Sequence, residues 1–198
     1  MKTANKQKKT GLLFGSFNPI HNGHLILASY MAEFTDLDEV WFVVSPQNPL
    51  KEKSSLLADY HRLALSRIAV EDHNKLKVSN IEFNMPIPSY TIDTLTWLNE
   101  EYPSREFVVI CGTDIFRSFH KWKNYEQILN QYSMYVYPRP GYNIEKYINH
   151  QSVKVYDAPL MEISSSFIRK GIKEKKAMDF WMPEKVYEYI QEMHFYEK

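Results

Sequence analysis

The sequence predicts an α/β fold, a Rossmann-like three-layer sandwich with a mostly parallel sheet. Two observations carry this. Short, continuously apolar runs alternate with longer amphipathic stretches, the pattern of strands buried on both faces and joined by right-handed helical crossovers. Three of only six glycines, Gly15, Gly23 and Gly112, fall at or beside the ends of those runs, where an open α/β sheet keeps its ligand and a missing Cβ admits close backbone approach.

The elements follow in order. "LLF" at 12–14 reads as the first strand, and "HLILASYMAEF" at 24–34 as a helix with Leu25, Ala28, Ser29 and Ala32 on one stripe. "VWFVV" at 40–44 is a second strand, "LLADYHRLALSRIAVED" at 56–72 a helix, "LKVSNIEF" at 76–83 a third strand, and "TIDTLTWLNEEY" at 91–102 a helix. "FVVIC" at 107–111, a helical "NYEQILNQ", "MYVYP" at 134–138 and "VKVYD" at 153–157 continue the alternation. "SSFIRKGIKE" and "PEKVYEYIQEM" close it, with Pro183 suited to the first residue of the last helix.

A chain of 198 residues is read as one domain spanning 1–198, with 1–10 a loose basic tail. Its 24 basic residues balance 24 acidic ones, so bulk charge calls for neither a nucleic acid nor a membrane, and any phosphate binding must be local. The tail resembles the start of a signal peptide, but only "LLF" precedes Gly15, too little for a secretory apolar core. No run approaches the ~18 apolar residues of a membrane helix. Cys111 is the only cysteine, which excludes an internal disulfide and a multi-cysteine zinc site and suits the cytoplasm.

The residues just after each strand are the candidate ligand contacts: Gly15–His24, Ser45–Lys51, Gly112–Asp114, Pro138–Gly141 and Ile163–Arg169. Neither G-x-G-x-x-G nor G-K-[ST] occurs after the first strand, which disfavours a dinucleotide dehydrogenase and a Walker ATPase. "GSFNPIHNGHL" stands there instead. His21 and His24, three apart around a helix start, can reach one spot with N–H donors, beside unpaired backbone N–H groups and the positive end of the helix dipole. Gly23 between them leaves room for a flat group such as a purine. A bare H-x-x-H pair fits surface or capping histidines as well, and it lacks the spacing and glutamate of a helical zinc site. "SSSFIR" likewise reads, taken alone, as a serine cap before a helix.

Together, "GSFNPIHNGH" and "ISSSFIR" at 163–169 resemble the T/H-x-G-H and I-S-S-[ST]-x-[IL]-R signatures of adenylyltransferases. "SYTIDTL" at 89–95, "CGTDIFRSFHKW" at 111–122, "RPG" at 139–141 and the ending "PEKVYEYIQEMHFY" are similar to the bacterial nicotinate-nucleotide adenylyltransferase family. The resemblance implies AMP transfer from ATP to nicotinate mononucleotide, with Mg2+ accompanying ATP and held mostly by phosphates and water, and no protein metal ligands. It implies catalytic roles for His21, His24, Lys51 and Arg169. Gly15, Ser16, Phe17, Gly23, Ser164, Ser165 and Ser166 are implied to bind ATP, and Thr91, Gly112, Asp114 and Trp122 the mononucleotide. Pantetheine-phosphate adenylyltransferase and a non-catalytic nucleotide-binding module are the alternatives. Two departures stand out: Ser16 and Asn18 replace the second glycine and the aspartate of the usual G-G-[ST]-F-D-P, and Leu50 replaces the histidine of P-P-H-K. Oligomeric state is open, because "YEYIQEMHFYEK" suits packing on the domain or on a second subunit.

Overall fold

The computed structural model of the chain describes residues 7–46 and 56–198. Six strands, β1 (Lys8–Gly15), β2 (Glu39–Val44), β3 (Leu76–Ser79), β4 (Arg105–Gly112), β5 (Ser133–Tyr137) and β6 (Val153–Val155), pair in parallel in the order β3-β2-β1-β4-β5-β6. The strand order reverses between β1 and β4, so a crevice opens beyond their carboxyl ends. This is the α/β, Rossmann-like sandwich the apolar runs predict.

Six α-helices among the described residues complete it: α1 (Asn22–Phe34), α2 (Asp59–Val70), α3 (Thr91–Glu101), α4 (Tyr125–Gln131), α5 (Ser165–Lys173) and α6 (Glu184–Glu192). Alternate strand residues feed two cores. Leu13, Phe42, Val44, Val108, Ile110 and Tyr135 meet Leu27, Ala28 and Met31 of α1, Leu63 and Leu65 of α2, and Val186 and Ile190 of α6. Leu12, Trp41, Val43, Val109, Cys111 and Val136 meet Ile92, Leu95 and Leu98 of α3 and Ile128 and Leu129 of α4. The buried stripe of α1 is therefore Leu27, Ala28, Met31 and Ala32; Leu25 and Ser29 lie at its margin.

Three boundaries differ from the sequence reading. The first strand begins at Lys8, so residues 8–10 of the expected tail are part of the sheet. Charge pairing does there what apolar side chains do elsewhere: Lys9 reaches Asp36 at 2.9 Å and Glu106 at 3.3 Å, and the buried Glu39 takes Lys8, Arg105 and the Trp41 indole N–H. The third strand stops at Ser79, and 81–84 form a 3-10 turn. That turn brings Glu82 inward, where the Ser89 and Thr94 hydroxyls donate to its carboxylate at 2.7 and 2.9 Å. Pro183 caps α6 from one position before the helix. The final segment packs on its own domain: Phe195 and Tyr196 lie against the first core, and Phe195 faces His61 and Tyr189.

Candidate active site

The exit of β1 is a tight, carbonyl-rich turn. Phe17 adopts φ 43°, a left-handed conformation uncommon for a bulky residue, and tucks its ring back over Gly15. A Cβ on Gly15 would come within 2.7 Å of that ring. Phe17 is 3% exposed and meets His24 and Phe42 edge-on at 5.1 and 5.4 Å. Its side chain thus supports His24 from the core.

The outward carbonyls of the turn are held from two helices, α2 and α5. Arg62 on α2, 1% exposed, donates to the carbonyls of Ser16, Ser45, Leu57 and Pro46 at 2.6, 2.8, 2.9 and 3.1 Å. Arg169 Nη1 donates to the Asn18 carbonyl at 2.8 Å, and Ser165 Oγ to the Pro19 carbonyl at 2.9 Å. The Asn18 Oδ1 atom accepts from Leu57 N and the Tyr196 hydroxyl. Asn18 therefore performs by hydrogen bonding the loop-fixing role open to it in place of an aspartate.

His21 caps α1 and His24 lies on its first turn. Their rings stack at 3.7 Å with 23° between planes, so the pair does converge. His21 is 4% exposed; burial first, and then the nearby Arg139 charge, push its pKa down to about 4, leaving it neutral at pH 7. His21 N donates to His24 Nδ1 at 3.3 Å, which places the His24 proton on Nε2. The space beside Gly23 is filled from within: a Cβ there would lie 3.1 Å from His21 Nδ1. A side chain at position 23 would therefore press on the His21 ring, while Gly23 itself borders the cleft.

Across the turn stands the start of α5. Ser164 caps it, accepting from Phe167 N at 3.1 Å. Ser166 Oγ accepts from Arg169 Nη2 at 3.3 Å. The three serines thus split into a cap, a tether to Pro19 and a rest for Arg169, while the first N–H groups of α5 and the guanidinium remain available to an anion.

One cleft of about 820 Å³ joins these parts, within the range of a small-molecule site. It is lined by Gly15, Ser16, Phe17, His21, Gly23, His24, Ser164, Ser165, Ser166 and Arg169 on one side, and by Thr91, Gly112, Asp114 and Trp122 on the other. Every residue to which the family resemblance gives a role borders it except Lys51, which lies outside the described residues. Thr91 opens α3 behind the Ser89–Tyr90 turn that Glu82 fixes. Trp122 is half-buried against Phe119.

Two residues in or under this cleft, Glu82 and Arg62, escaped the sequence reading, and a third, Arg139, was named only within the Pro138–Gly141 strand exit. Arg139 sits 3.9 Å from Asp114 Oδ1 and over the Tyr137 ring, adding a second guanidinium to the cleft; its signals were its place after a strand and the "RPG" stretch. Glu82 and Arg62 carried none, since a lone charge in a strand-like or helical run normally reads as a solvated face.

Comparison with known proteins agrees with this geometry. Residues 12–171 match the model of the cytidylyltransferase-like family, so the fold and site are those of a nucleotidyltransferase. The chain is 53% identical to a protein of Flavobacterium psychrophilum named "Probable nicotinate-nucleotide adenylyltransferase", over 96% of this chain and 100% of that one. It is 44% identical to one of the same name from Bacteroides thetaiotaomicron, over 97% and 96%. The chain belongs to the nicotinate-nucleotide adenylyltransferase family. Its fold is shared with the Plasmodium falciparum nicotinic acid mononucleotide adenylyltransferase solved in complex with NaAD, at a TM-score of 0.80 and 20% identity over 96% of this chain and 98% of that one. No helix among the described residues is long and apolar enough to cross a membrane.

Proposed function

We propose that the cleft transfers the adenylyl group of ATP to nicotinate mononucleotide, giving nicotinate adenine dinucleotide and pyrophosphate. The observation that carries this is the placement of the His21–His24 stack opposite the Arg169 helix start, at the sheet's switch point. The family relatives bear the matching name over nearly their whole length, and the Plasmodium falciparum enzyme has been solved with NaAD and with APC.

A phosphate oxygen of the mononucleotide attacks the α-phosphorus of ATP. The new P–O bond forms as the α–β bridge breaks, and pyrophosphate leaves with the electron pair. The nucleophile is already ionised near neutral pH, so the protein supplies neither a general base nor a covalent intermediate. It supplies position and charge. His24, with its proton on Nε2, donates to the α-phosphate oxygens as charge builds on them. His21, neutral, keeps His24 in that tautomer through its backbone N–H. Arg169 and the first N–H groups of α5 receive the departing pyrophosphate, and Arg139 adds positive charge from the β5 side. Lys51 is proposed as a further phosphate contact.

Magnesium enters with ATP, neutralising the triphosphate. Such an ion would be held mostly by phosphate oxygens and water. The second substrate occupies the far end, with Thr91, Gly112, Asp114 and Trp122 around ribose and pyridine. The Ser89–Tyr90–Thr91 turn and Trp122 favour the pyridine mononucleotide over pantetheine phosphate. A single cysteine, the buried Cys111, suits the cytoplasm as the site of action.

Incubation of the protein with ATP and Mg2+ and either nicotinate mononucleotide or pantetheine phosphate, followed by pyrophosphate release, tests the reading. Release with the pyridine nucleotide alone is expected. Release with pantetheine phosphate, or with neither, refutes it.

A further inference from the structure

The C-terminal turn reaches the phosphate end of the cleft. After α6 the chain bends through His194 at φ 53° and Tyr196 at φ 65°, two left-handed positions occupied by bulky side chains, where such backbone is uncommon. The bend is nonetheless ordered by hydrogen bonds from Phe195 N to Ile190 O and from His194 N to Gln191 O. It seats Phe195 against His61 and Tyr189 and brings the Tyr196 hydroxyl to 2.8 Å from Asn18 Oδ1. That acceptor is shared with Leu57 N at 3.1 Å. The backbone carbonyl of the same Asn18 is the anchor of Arg169 Nη1 at 2.8 Å. One residue thus links the phenol at the end of the chain to the guanidinium of the second signature.

We propose that Tyr196 is a positioning residue for the triphosphate: its hydroxyl fixes Asn18, and through Asn18 the aim of Arg169. Burial raises the Tyr196 pKa, so the phenol keeps its proton and donates throughout the working range. Asn18 lies on the floor of the turn, 3% exposed, between Phe17, which supports His24, and Pro19, which Ser165 tethers. A shift of its carbonyl would therefore be felt first at Arg169. The far end of the cleft, built on α3 and β4, shares none of these bonds. The proposal rests on the reading that Arg169 meets the phosphates of ATP.

The test is Tyr196→Phe in the full chain, which removes one hydroxyl and keeps the ring. The KM for ATP and the binding of a non-hydrolysable α,β-methylene ATP are expected to weaken about 3- to 10-fold, the scale of one lost hydrogen bond. The KM for nicotinate mononucleotide should stay within about twofold, with an unchanged circular dichroism spectrum. In an Arg169→Lys background the same change should have less than about a twofold effect, because the fork it aims is gone. Unaltered ATP binding, equal loss for both substrates, loss of the fold, or a full effect in the Arg169→Lys background each overturns the proposal. Arg169→Lys alone tests the reading beneath it. If that variant binds ATP normally, Arg169 is not at the triphosphate; if it binds poorly while Tyr196→Phe is silent, only the positioning role fails.

Discussion

The imidazoles of His21 and His24 stack 3.7 Å apart, yet the two rings live in different surroundings: His21 is sealed beneath the turn while His24 stays partly open to the cleft. The stack divides labour between a supporting ring and a reaching one.

His24→Ala should leave the fold intact and lower kcat/KM by about 100-fold or more, the scale of losing one preorganised donor to transition-state charge. His21→Ala should also be severe, and the double variant less than additive because the two act as a unit. Steady-state kinetics on folded variants decide this; near-normal activity in His24→Ala removes it from the mechanism.

Acid should destabilise the protein partly through His21. The unfolded chain binds a proton at this residue near pH 6.5, the folded chain only near pH 4. The unfolded state therefore carries more protons between those values, and stability rises with pH there. The contribution is complete above about pH 6.5 and is lost as pH falls towards 4, on the order of 3 kcal/mol in all. Urea unfolding at pH 4.5 and 7.5 should show a smaller pH difference for His21→Gln than for the natural chain. Equal differences would show that His21 is not the titrating group.

Arg62 holds four backbone carbonyls from three segments. Arg62→Met should lower stability by about 2–4 kcal/mol, since buried acceptors are left unpaired. Arg62→Lys should recover little of it, because a single ammonium lacks the fork that spans them. Urea titration of the three proteins measures this, and a lysine variant as stable as arginine would contradict it.

The acid form of the mononucleotide should be preferred over the amide about ten- to hundredfold in kcat/KM. Backbone N–H donors at the start of α3 suit a carboxylate and leave an amide NH2 facing donors. The Trp122 ring can stack on either pyridine, so Trp122→Ala should weaken both substrates and change their ratio little. Equal use of the two by the natural chain overturns the specificity while leaving the transfer chemistry standing.

Much of this architecture is legible in local sequence because its determinants are local. Apolar runs such as "VWFVV" mark strands sealed on both faces, and Gly15 and Gly112 mark their exits. The histidine turn and the serine–arginine helix start are each contiguous, so their residues could be named before their meeting was seen. What was not legible depends on contacts between distant segments. Lys8 and Lys9 look like a basic tail until Glu39, Asp36 and Glu106 arrive beside them. Glu82 looks like an exposed strand residue until the turn at 81–84 presents it to Ser89 and Thr94. Tyr196 meets Asn18 from the opposite end of the chain, and no periodicity announces that.

The order of the strands also has a kinetic consequence. Strands β1 to β3 and β4 to β6 form two half-sheets, each wound by connections to its nearest neighbours in sequence, and among the described residues the halves are joined through the ladder of β1 with β4, whose partners Lys8 and Arg105 lie far apart along the chain. Closing that seam has the highest loop-closure entropy in the sheet, which delays it relative to local pairing. The cleft spans the seam, so neither half can bind ATP productively by itself. Recovery of catalysis after dilution from denaturant should lag behind recovery of secondary structure, making activity a late reporter of refolding.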